Sequence, residues 1–194
     1  LMRLLVDEHG LQWDEAWGIT RQAVSYTNHT LMHEALETWA VPLFEALPPR
    51  HMEIVYEINR RFLEEIRARF PGDEDLVRRL SLIDEGADHG QRRVRMASLS
   101  VLASHKVNGV SALHSRLCVE TIFADFARLY PDRFTNITNG VTPRRWLMQA
   151  NPALSALVDA QIGPAWRRDA AELQALAGVG RRQAVRTAVP KAQR

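Results

Sequence analysis

The sequence has 194 residues, of which 46% are apolar and 25% are charged, and these proportions are ordinary for a globular protein. Its single cysteine, Cys118, excludes an internal disulfide framework and any zinc or iron–sulfur site built from several cysteines. The low cysteine content indicates a reducing compartment, so we expect a cytoplasmic protein. No apolar run is long enough to span a bilayer and no secretory leader opens the chain, so no membrane contact is expected.

The formal net charge of +2 conceals an uneven distribution of charge along the chain. Residues 1–90 carry 9 basic and 17 acidic side chains, whereas residues 91–194 carry 16 basic and 6 acidic ones. A basic half can bind nucleic acid or another polyanion. Because its arginines are widely spread, with few aromatic residues between them, the pattern favours a solvated helical surface and no nucleic-acid partner.

Most of the sequence has the periodicity of α-helices. Residues 2–8 are expected to be helical, and Asp14 is a candidate N-cap for a helix that runs to Val24. Pro48-Pro49 predicts the start of a long helix that ends at Arg69. Its apolar residues recur every three or four positions and predict one continuous buried stripe: Val55, Ile58, Phe62, Ile66 and Phe70.

Turn and strand signals divide the rest of the chain. Asp73 can cap the short helix that follows Pro71-Gly72, and residues 106–111 predict a strand or turn. Residues 134–140 predict a strand that leads into a tight Asn-Gly turn. Helices are expected to begin at Pro143 and at Asn151-Pro152, and residues 187–194 are expected to be frayed.

The segment S-Y-T-N-H-T-L-M-H-E-A-L-E, residues 25–37, admits three interpretations. Asn28-His29-Thr30 is a glycosylation sequon, and His29 and His33 have the spacing of a metal-binding pair on a helix. The third interpretation is a strand that ends at Asn28-His29, with Thr30 as the N-cap of a following helix. It would place His29 at a strand's mouth, where α/β folds bind ligands. The absence of an H-E-x-x-H pattern disfavours metal, and glycosylation requires secretion.

The residues alone do not assign a reaction. The chain has no G-x-G-x-x-G sequence, no phosphate-binding loop and no G-x-S-x-G elbow. His105 and His114 are interpreted as packed or surface histidines. The pattern therefore predicts a helix-rich α/β protein with two polar strand ends, one around Asn28-His29 and one around Asn136.

Four groups of residues nevertheless form a recognisable series. They are Tyr26–Thr30 with Glu34–Glu37, Pro49–His51 with Tyr56–Phe62, Val107–Val110 with Leu113–Ser115, and Thr138–Leu147. In their order and intervals over roughly residues 1–165, these motifs are similar to those of the glycogen/α-glucan (maltodextrin) phosphorylase family. The chain departs from the family at His33, where relatives usually have proline.

The resemblance implies a protein several times longer, with two Rossmann-like lobes of the GT-B type and an active site between them. Residues 1–138 would be the end of the N-terminal lobe, and residues 139–194 the incomplete start of the C-terminal lobe. The chain is then expected to be an internal fragment that is inactive alone. The non-enzymatic alternative is a glucan-binding or helical interaction module.

For the intact enzyme, the resemblance implies α-1,4-glucan and inorganic phosphate as substrates and α-D-glucose 1-phosphate as product. It also implies a homodimer with allosteric control and pyridoxal 5'-phosphate held on a lysine. Neither Lys106 nor Lys191 stands in a matching motif, so the cofactor lysine is expected outside this chain. No metal ion is expected.

Two pocket residues carry over from the resemblance. His29 matches a catalytic-site histidine whose side chain bonds the 6-hydroxyl of the glucosyl unit and whose carbonyl faces the anomeric carbon. Asn136 matches an asparagine that bonds the same hydroxyl. Both side chains offer a donor and an acceptor, which suits a hydroxyl group.

A second glucan-binding surface is also implied, because some relatives have a storage site on their surface. The positions here that resemble it are Tyr56, Asn59 and Glu85. His89 stands where the relatives have a further basic residue.

Overall fold

The strands of the protein form two separate three-stranded sheets. The computed structural model describes residues 1–86 and 92–179. The first sheet is parallel, with the order β1-β5-β6, and the second is antiparallel, with the order β2-β4-β3. The strands are β1 (Tyr26–Asn28), β2 (Thr38–Ala40), β3 (Ile83–Asp84), β4 (Arg93–Arg95), β5 (Val107–Gly109) and β6 (Phe134–Asn136).

Helices account for most of the remaining described chain, as the sequence predicts. They are α1 (Trp13–Ala23), α2 (Val41–Ala46), α3 (Pro49–Arg69), α4 (Glu74–Leu80), α5 (Met96–Ala103), α6 (Ala112–Glu120), α7 (Ala124–Leu129), α8 (Pro152–Ile162) and α9 (Leu176–Val179). Shorter helical turns are of the π type at Leu4–Glu8 and Arg144–Gln149, and of the 3₁₀ type at His33–Ala35, Pro131–Arg133, Ala165–Arg167 and Ala170–Ala175. None of the described helices is both long and apolar enough to cross a membrane.

The chain divides into two compact units, Leu1–Asn139 and Gly140–Arg194. The division lies one residue from the boundary expected between the two lobes. That these units belong to different lobes of a larger protein stays a prediction. Both sheets lie in the first unit, and so do helices α1–α7.

Helix α3 contributes buried residues to both hydrophobic clusters of the first unit. It begins at Pro49 and ends at Arg69, as predicted, because proline suits a first turn and Pro71 cannot continue a helix. Ile58, Phe62 and Ile66 are buried in the main core with residues of α4 to α7. Val55 instead packs in a smaller cluster over the antiparallel sheet, so the predicted stripe serves two cores.

The cap predicted at Asp73 and the helix start predicted at Asn151-Pro152 are both present. The carboxylate of Asp73 accepts a hydrogen bond from the Leu76 amide at 2.9 Å, at the start of α4. The side chain of Asn151 accepts one from the Leu154 amide at 3.0 Å, at the start of α8. The helical turn after Pro143 is also confirmed, but it is π-helical.

The prediction that Asp14 caps α1 was wrong. The helix begins one residue earlier, at Trp13, and the side chain of the N-cap residue Gln12 makes no capping bond. Asp14 lies in the first turn, where a negative charge favours the helix dipole, and it accepts a bond from Arg61 at 2.9 Å. The helix ends at Ala23 because Val24 is already extended and leads into β1.

The predicted tight turn at Asn139-Gly140 is also absent. Such a turn needs positive φ at its central residues, and Gly140 is not among the glycines with positive φ in the described chain. The amide of Asn139 instead donates to the carbonyl of Val110 at 3.0 Å. The backbone therefore continues beside the segment that follows β5 and does not fold back on β6. Residues 187–194 lie outside the described residues.

A buried arginine supports the entry to β6. Arg133, 8% exposed, donates to the carbonyls of Val101 and Leu102 at 3.4 and 3.1 Å, in the last turn of α5. Its guanidinium lies 3.8 Å from the centre of the Tyr130 ring. A cation at a helix C-terminus is favourable, so Arg133 fixes β6 against α5.

Candidate functional site

The carboxyl ends of the three parallel strands meet at one edge of the sheet. In the strand register Asn28 lies beside Gly109, and Gly109 lies beside Asn136. His29 follows β1 directly, so His29 and Asn136 lie at the same edge, on the two outer strands. Since neighbouring strands are about 4.8 Å apart, the ends of β1 and β6 are separated by about 10 Å. The edge is the candidate site.

His29 has an exposed side chain and lies at the centre of a turn closed by its neighbours. The side-chain oxygen of Asn28 accepts a hydrogen bond from the Thr30 amide at 3.1 Å, which is the geometry of an Asx turn. The hydroxyl of Thr30 in turn accepts a bond from the Met32 amide at 3.1 Å. The prediction that Thr30 caps a helix was wrong. The 3₁₀ turn begins at His33, and the Thr30 hydroxyl instead closes a second turn.

Asn136 is exposed and its amide group is oriented by the neighbouring strand and helix. Its Nδ2 donates to the Gly109 carbonyl at 3.1 Å and to the Ser115 hydroxyl at 3.0 Å. Its Oδ1 receives only a long bond from Thr138, at 3.4 Å. The Asn136 oxygen is therefore the atom available to a ligand hydroxyl.

Helix α6 packs directly against the end of β5. Ser111 caps it by accepting a bond from the His114 amide at 3.1 Å. A Cβ atom on Gly109 would lie 2.2 Å from the Ser115 hydroxyl oxygen, so only glycine fits this approach. A cleft of about 400 Å³ lies between this helix and strands β5 and β6, and both Asn28 and Asn136 line it.

A histidine and the cysteine lie behind the edge. Nδ1 of His114 accepts a bond from the Val110 amide at 3.2 Å, and its Nε2 lies 3.6 Å from Cys118 Sγ. Burial raises the pKa of the Cys118 thiol, which disfavours the thiolate. His114 is therefore a packed histidine that supports the backbone after β5, and Cys118 is not an activated nucleophile.

The structure does not support the metal interpretation of His29 and His33. That interpretation requires one helix through both residues, but residues 29–32 are not helical and His33 begins a single 3₁₀ turn. Over residues 1–86 and 92–179, no three histidine, cysteine or acidic side chains are grouped as metal ligands. The sequon is also unsuitable in this fold, because Asn28 is 1% exposed.

The residues that resemble a storage site lie in the first unit, on α3 and directly after β3. Tyr56 donates to Glu45 at 3.1 Å, and burial, followed by this hydrogen bond, raises its pKa. Glu85 is exposed and directly follows β3, in the same unit. Asn59 instead accepts from the Leu82 amide at 2.8 Å and donates to Ser81 at 3.4 Å, which occupies its side chain. His89 lies outside the described residues.

Lys106 is not in a position to bind pyridoxal phosphate at this edge of the sheet. Lys106 precedes β5, at the opposite end of the strand from Gly109, and its Nζ donates to the Asp132 carbonyl at 2.6 Å. A Schiff-base lysine would have to reach the carboxyl edge, so Lys106 is unsuitable for pyridoxal phosphate. Lys191 lies outside the described residues.

Comparison with known proteins identifies the family of the chain. The sequence profile of the family described as carbohydrate phosphorylase matches residues 1–194. The chain belongs to the carbohydrate phosphorylase family. This confirms the resemblance drawn from the motifs, and the helix-rich α/β structure with a parallel sheet agrees with a part of the phosphorylase fold.

Several curated glycogen phosphorylases are similar to the chain. The enzyme of Haemophilus influenzae is 52% identical over 189 residues, which are 97% of this chain and 23% of that protein. The enzyme of Pasteurella multocida is 56% identical over 176 residues, 91% of this chain and 21% of that protein. The muscle form of Bos taurus is 49% identical over 176 residues, 91% and 20% respectively. The chain spans about a fifth of the length of these relatives.

Inspection of the sequence missed three residues that shape the edge in this phosphorylase-family chain. The motif around His29 does not show that the side chain of Asn28 is the buried centre of the turn. The motifs that contain Gly109 and Ser115 do not show the contact between these two residues. The Ser111-x-x-His114 spacing could have indicated the cap of α6, but a contact between a strand end and a helix has no local signal.

Proposed function

We propose that this chain is part of an α-1,4-glucan phosphorylase, a longer enzyme that transfers the terminal glucosyl unit of a glucan to inorganic phosphate. The glycosidic C–O bond breaks, a phosphate oxygen joins the anomeric carbon with retained configuration, and the released glucan takes a proton on its oxygen. The product is α-D-glucose 1-phosphate. Membership of the carbohydrate phosphorylase family supports this reaction class.

The observation that carries the proposal is the register of the parallel sheet. Because Asn28, Gly109 and Asn136 are neighbours across three strands, Asn136 and His29, which follows β1, lie at the same carboxyl edge. Ligands of open α/β sheets bind outside the carboxyl ends of the strands. The two residues are separated by 107 positions in the sequence, so their common location is a property of the fold.

Each residue has a role that its contacts allow. The exposed imidazole of His29 can donate to or accept from the 6-hydroxyl of the glucosyl unit. The Oδ1 of Asn136 accepts from the same hydroxyl, because its Nδ2 is already bonded to Gly109 and Ser115. The carbonyl dipole of His29 favours the positive charge that develops at the anomeric carbon in an oxocarbenium-like transition state.

The proposal extends to the whole enzyme. We expect a cytoplasmic homodimer that holds pyridoxal 5'-phosphate on a lysine outside this chain, and we expect the isolated chain to be inactive. The position of Lys106 at the opposite end of β5 supports a lysine from elsewhere. The relatives' length, about five times that of this chain, supports a larger polypeptide.

A surface formed by Tyr56 and Glu85 is proposed as a second contact for glucan. Tyr56 packs against the small core cluster that contains Ile83, and Glu85 stands two residues after Ile83, which supports a common surface for the two side chains. The side chain of Asn59 hydrogen-bonds to Ser81 and to the Leu82 amide, and so joins α3 to the segment that leads to Glu85. Asn59 is therefore proposed to position Glu85 and not to bind glucan directly.

The mass of the native gene product is the first measurement. An antibody raised to this chain should detect in source cells a protein several times larger than 22.1 kDa. A product near that mass would contradict the proposed enzyme, and glucan binding by the chain would then be the next property to measure.

Kinetics of the whole enzyme test the site. His29→Ala and Asn136→Ala should each cost roughly 1–3 kcal/mol of transition-state stabilisation, seen as a lower kcat/KM for glucan phosphorolysis. His9→Ala is the control, since His9 is an exposed histidine of the same unit that does not follow a strand of the parallel sheet. Unchanged kcat/KM in both site variants would contradict the assignment.

A substrate analogue shows whether the loss concerns the 6-hydroxyl. In the synthetic direction, the wild-type enzyme should use α-D-glucose 1-phosphate better than its 6-deoxy analogue. His29→Ala should reduce that preference, because it removes a partner of the missing hydroxyl. An equal loss for both donors would place His29 away from the 6-hydroxyl.

A further inference from the structure

Asn28 is a polar residue in the interior, directly before His29. It is 1% exposed, and each of its polar atoms has a partner. Nδ2 donates to the Tyr26 hydroxyl at 3.1 Å, and Oδ1 accepts from the Thr30 amide at 3.1 Å. Cys118 Sγ lies 3.6 Å from the same oxygen as a thiol donor. A buried amide whose oxygen and nitrogen are both hydrogen-bonded fixes one arrangement of the groups around it.

These bonds connect His29 to rigid elements on three sides. The backbone of Asn28 pairs with Gly109 in the sheet, and Cys118 belongs to α6. The Tyr26 ring packs edge-on against Phe123, with 6.2 Å between ring centres. The bond from Thr30 to Oδ1 spans His29, so the direction of the His29 backbone depends on where the Asn28 side chain is held.

We infer that Asn28 is the positioning residue of His29, and that its buried amide sets the direction in which the His29 carbonyl and imidazole face the sugar. Asn28 acts through His29 and does not itself touch the glucosyl unit. The inference rests on the proposed function, since it needs a sugar in contact with His29. A misplacement of about 1 Å at a catalytic group can cost about 100-fold in rate.

A purely structural role makes a different prediction. If Asn28 only stabilises the fold, its removal lowers the amount of active enzyme or affects all donors equally. If it positions His29, its removal lowers the preference for α-D-glucose 1-phosphate over the 6-deoxy analogue. The ratio of kcat/KM for these two donors therefore distinguishes the roles, because it is independent of the fraction of folded enzyme.

The experiment is a double-mutant cycle in the whole enzyme, with Asn28→Ala, His29→Ala and the double variant. Asn28→Ala should lower the donor ratio by about 10-fold in the wild-type background, the size of one lost hydrogen bond. In the His29→Ala background the same change should alter the ratio by less than about 2-fold, because residues that act through one another are not additive.

Conservative variants keep the test valid if Asn28→Ala does not fold. In Asn28→Ser the hydroxyl can still accept from the amide two residues on, as the Thr30 hydroxyl does for Met32, so the ratio should stay within about 3-fold of wild type. Tyr26→Phe keeps the ring against Phe123 but leaves the Asn28 NH₂ without its acceptor, and it should lower the ratio by about 3-fold.

Matched controls use residues of the same types in other places. Asn151→Ala removes an amide that also accepts a backbone N–H, at the start of α8, and should leave the ratio unchanged. Tyr130→Phe should do the same, because Tyr130 packs on Arg133 and not on Asn28.

Two results would overturn the inference. One is a wild-type donor ratio in Asn28→Ala and Tyr26→Phe, and the other is an equal effect of Asn28→Ala in both backgrounds. The His29→Ala enzyme alone reports on the proposed function. If it retains the wild-type ratio, the sugar assignment of His29 fails and the inference about Asn28 fails with it. If His29→Ala lowers the ratio and Asn28→Ala does not, only the inference fails.

Discussion

Gly109 and Ser115 approach each other so closely that no other residue than glycine fits between β5 and α6. A Cβ on Gly109 would lie 2.2 Å from the Ser115 hydroxyl oxygen and 2.7 Å from the Ser115 Cα. Ser115 also accepts a hydrogen bond from Asn136. The packing of α6 therefore affects the orientation of Asn136, a residue proposed to bind the sugar.

Gly109→Ala should therefore destabilise the protein by about 1–3 kcal/mol, as forced overpacking does. Part of the clash is with backbone, which cannot rotate away. Urea unfolding of the purified chain measures the change. Gly18→Ala is the matched control: a Cβ at Gly18 meets nothing within 4 Å, and alanine should stabilise the interior of α1 by about 0.5–1 kcal/mol. Equal stability of the two variants would refute the steric argument.

Asp73→Ala should cost about 1 kcal/mol of folding free energy, because it removes the side-chain acceptor of the Leu76 amide at the start of α4. Thermal unfolding of the chain measures the loss. Asp73→Asn keeps an acceptor oxygen at the same position and should be close to wild type. If the asparagine variant loses as much as the alanine variant, the negative charge and not the cap is the important feature.

Acid should remove the contribution of Glu57. Hydrogen bonds from Arg60, and then from Arg61, lower its pKa from 4.5 to about 2. A carboxylate with a lowered pKa stabilises the fold above its unfolded pKa, so the contribution is present above about pH 5 and is lost as the pH falls towards 2. Because the side chains of Glu57 and its two arginine partners are solvent-accessible, Glu57 contributes under about 1 kcal/mol to the free energy of unfolding.

The comparison of Glu57→Gln with wild type at pH 7 and pH 3 measures this dependence. The variant should be less stable at pH 7, and the difference should shrink at pH 3. Glu34→Gln is the control, since Glu34 makes no ion pair within residues 1–86 and 92–179. A difference that grows on acidification would reverse the expected sign.

In the second unit, Trp166→Ala should be the most damaging aromatic substitution. Trp166 is 1% exposed, and its Nε1 donates to Asp159 at 2.9 Å. Removal of a buried tryptophan costs about 3–5 kcal/mol. Trp146 is 68% exposed, so Trp146→Ala should change stability by about 0.5 kcal/mol or less in the isolated chain. Near-UV circular dichroism and urea unfolding of both variants check the contrast.

The features that the sequence predicted well depend on neighbours along the chain. The start of α3 at Pro49, the cap at Asp73 and the start of α8 after Asn151 follow from local backbone chemistry. Where a distant partner competes, the local signals failed. Asp14 pairs with Arg61 and does not cap α1, and Asn139 bonds to Val110 and does not form a turn with Gly140.

The sequence by itself determined the family and the helix-rich class, because ordered motifs and hydrophobic periodicity are properties of the residues. The assignment of His29 and Asn136 as sugar-binding residues follows from the family resemblance and stays a prediction. Only the tertiary structure decided that these two residues share one edge, since strand register is set by packing between segments distant in sequence. It also decided that Asn28 is buried and holds the turn around His29. A residue's burial depends on what packs over it, and for Asn28 that is α6, which lies far along the chain.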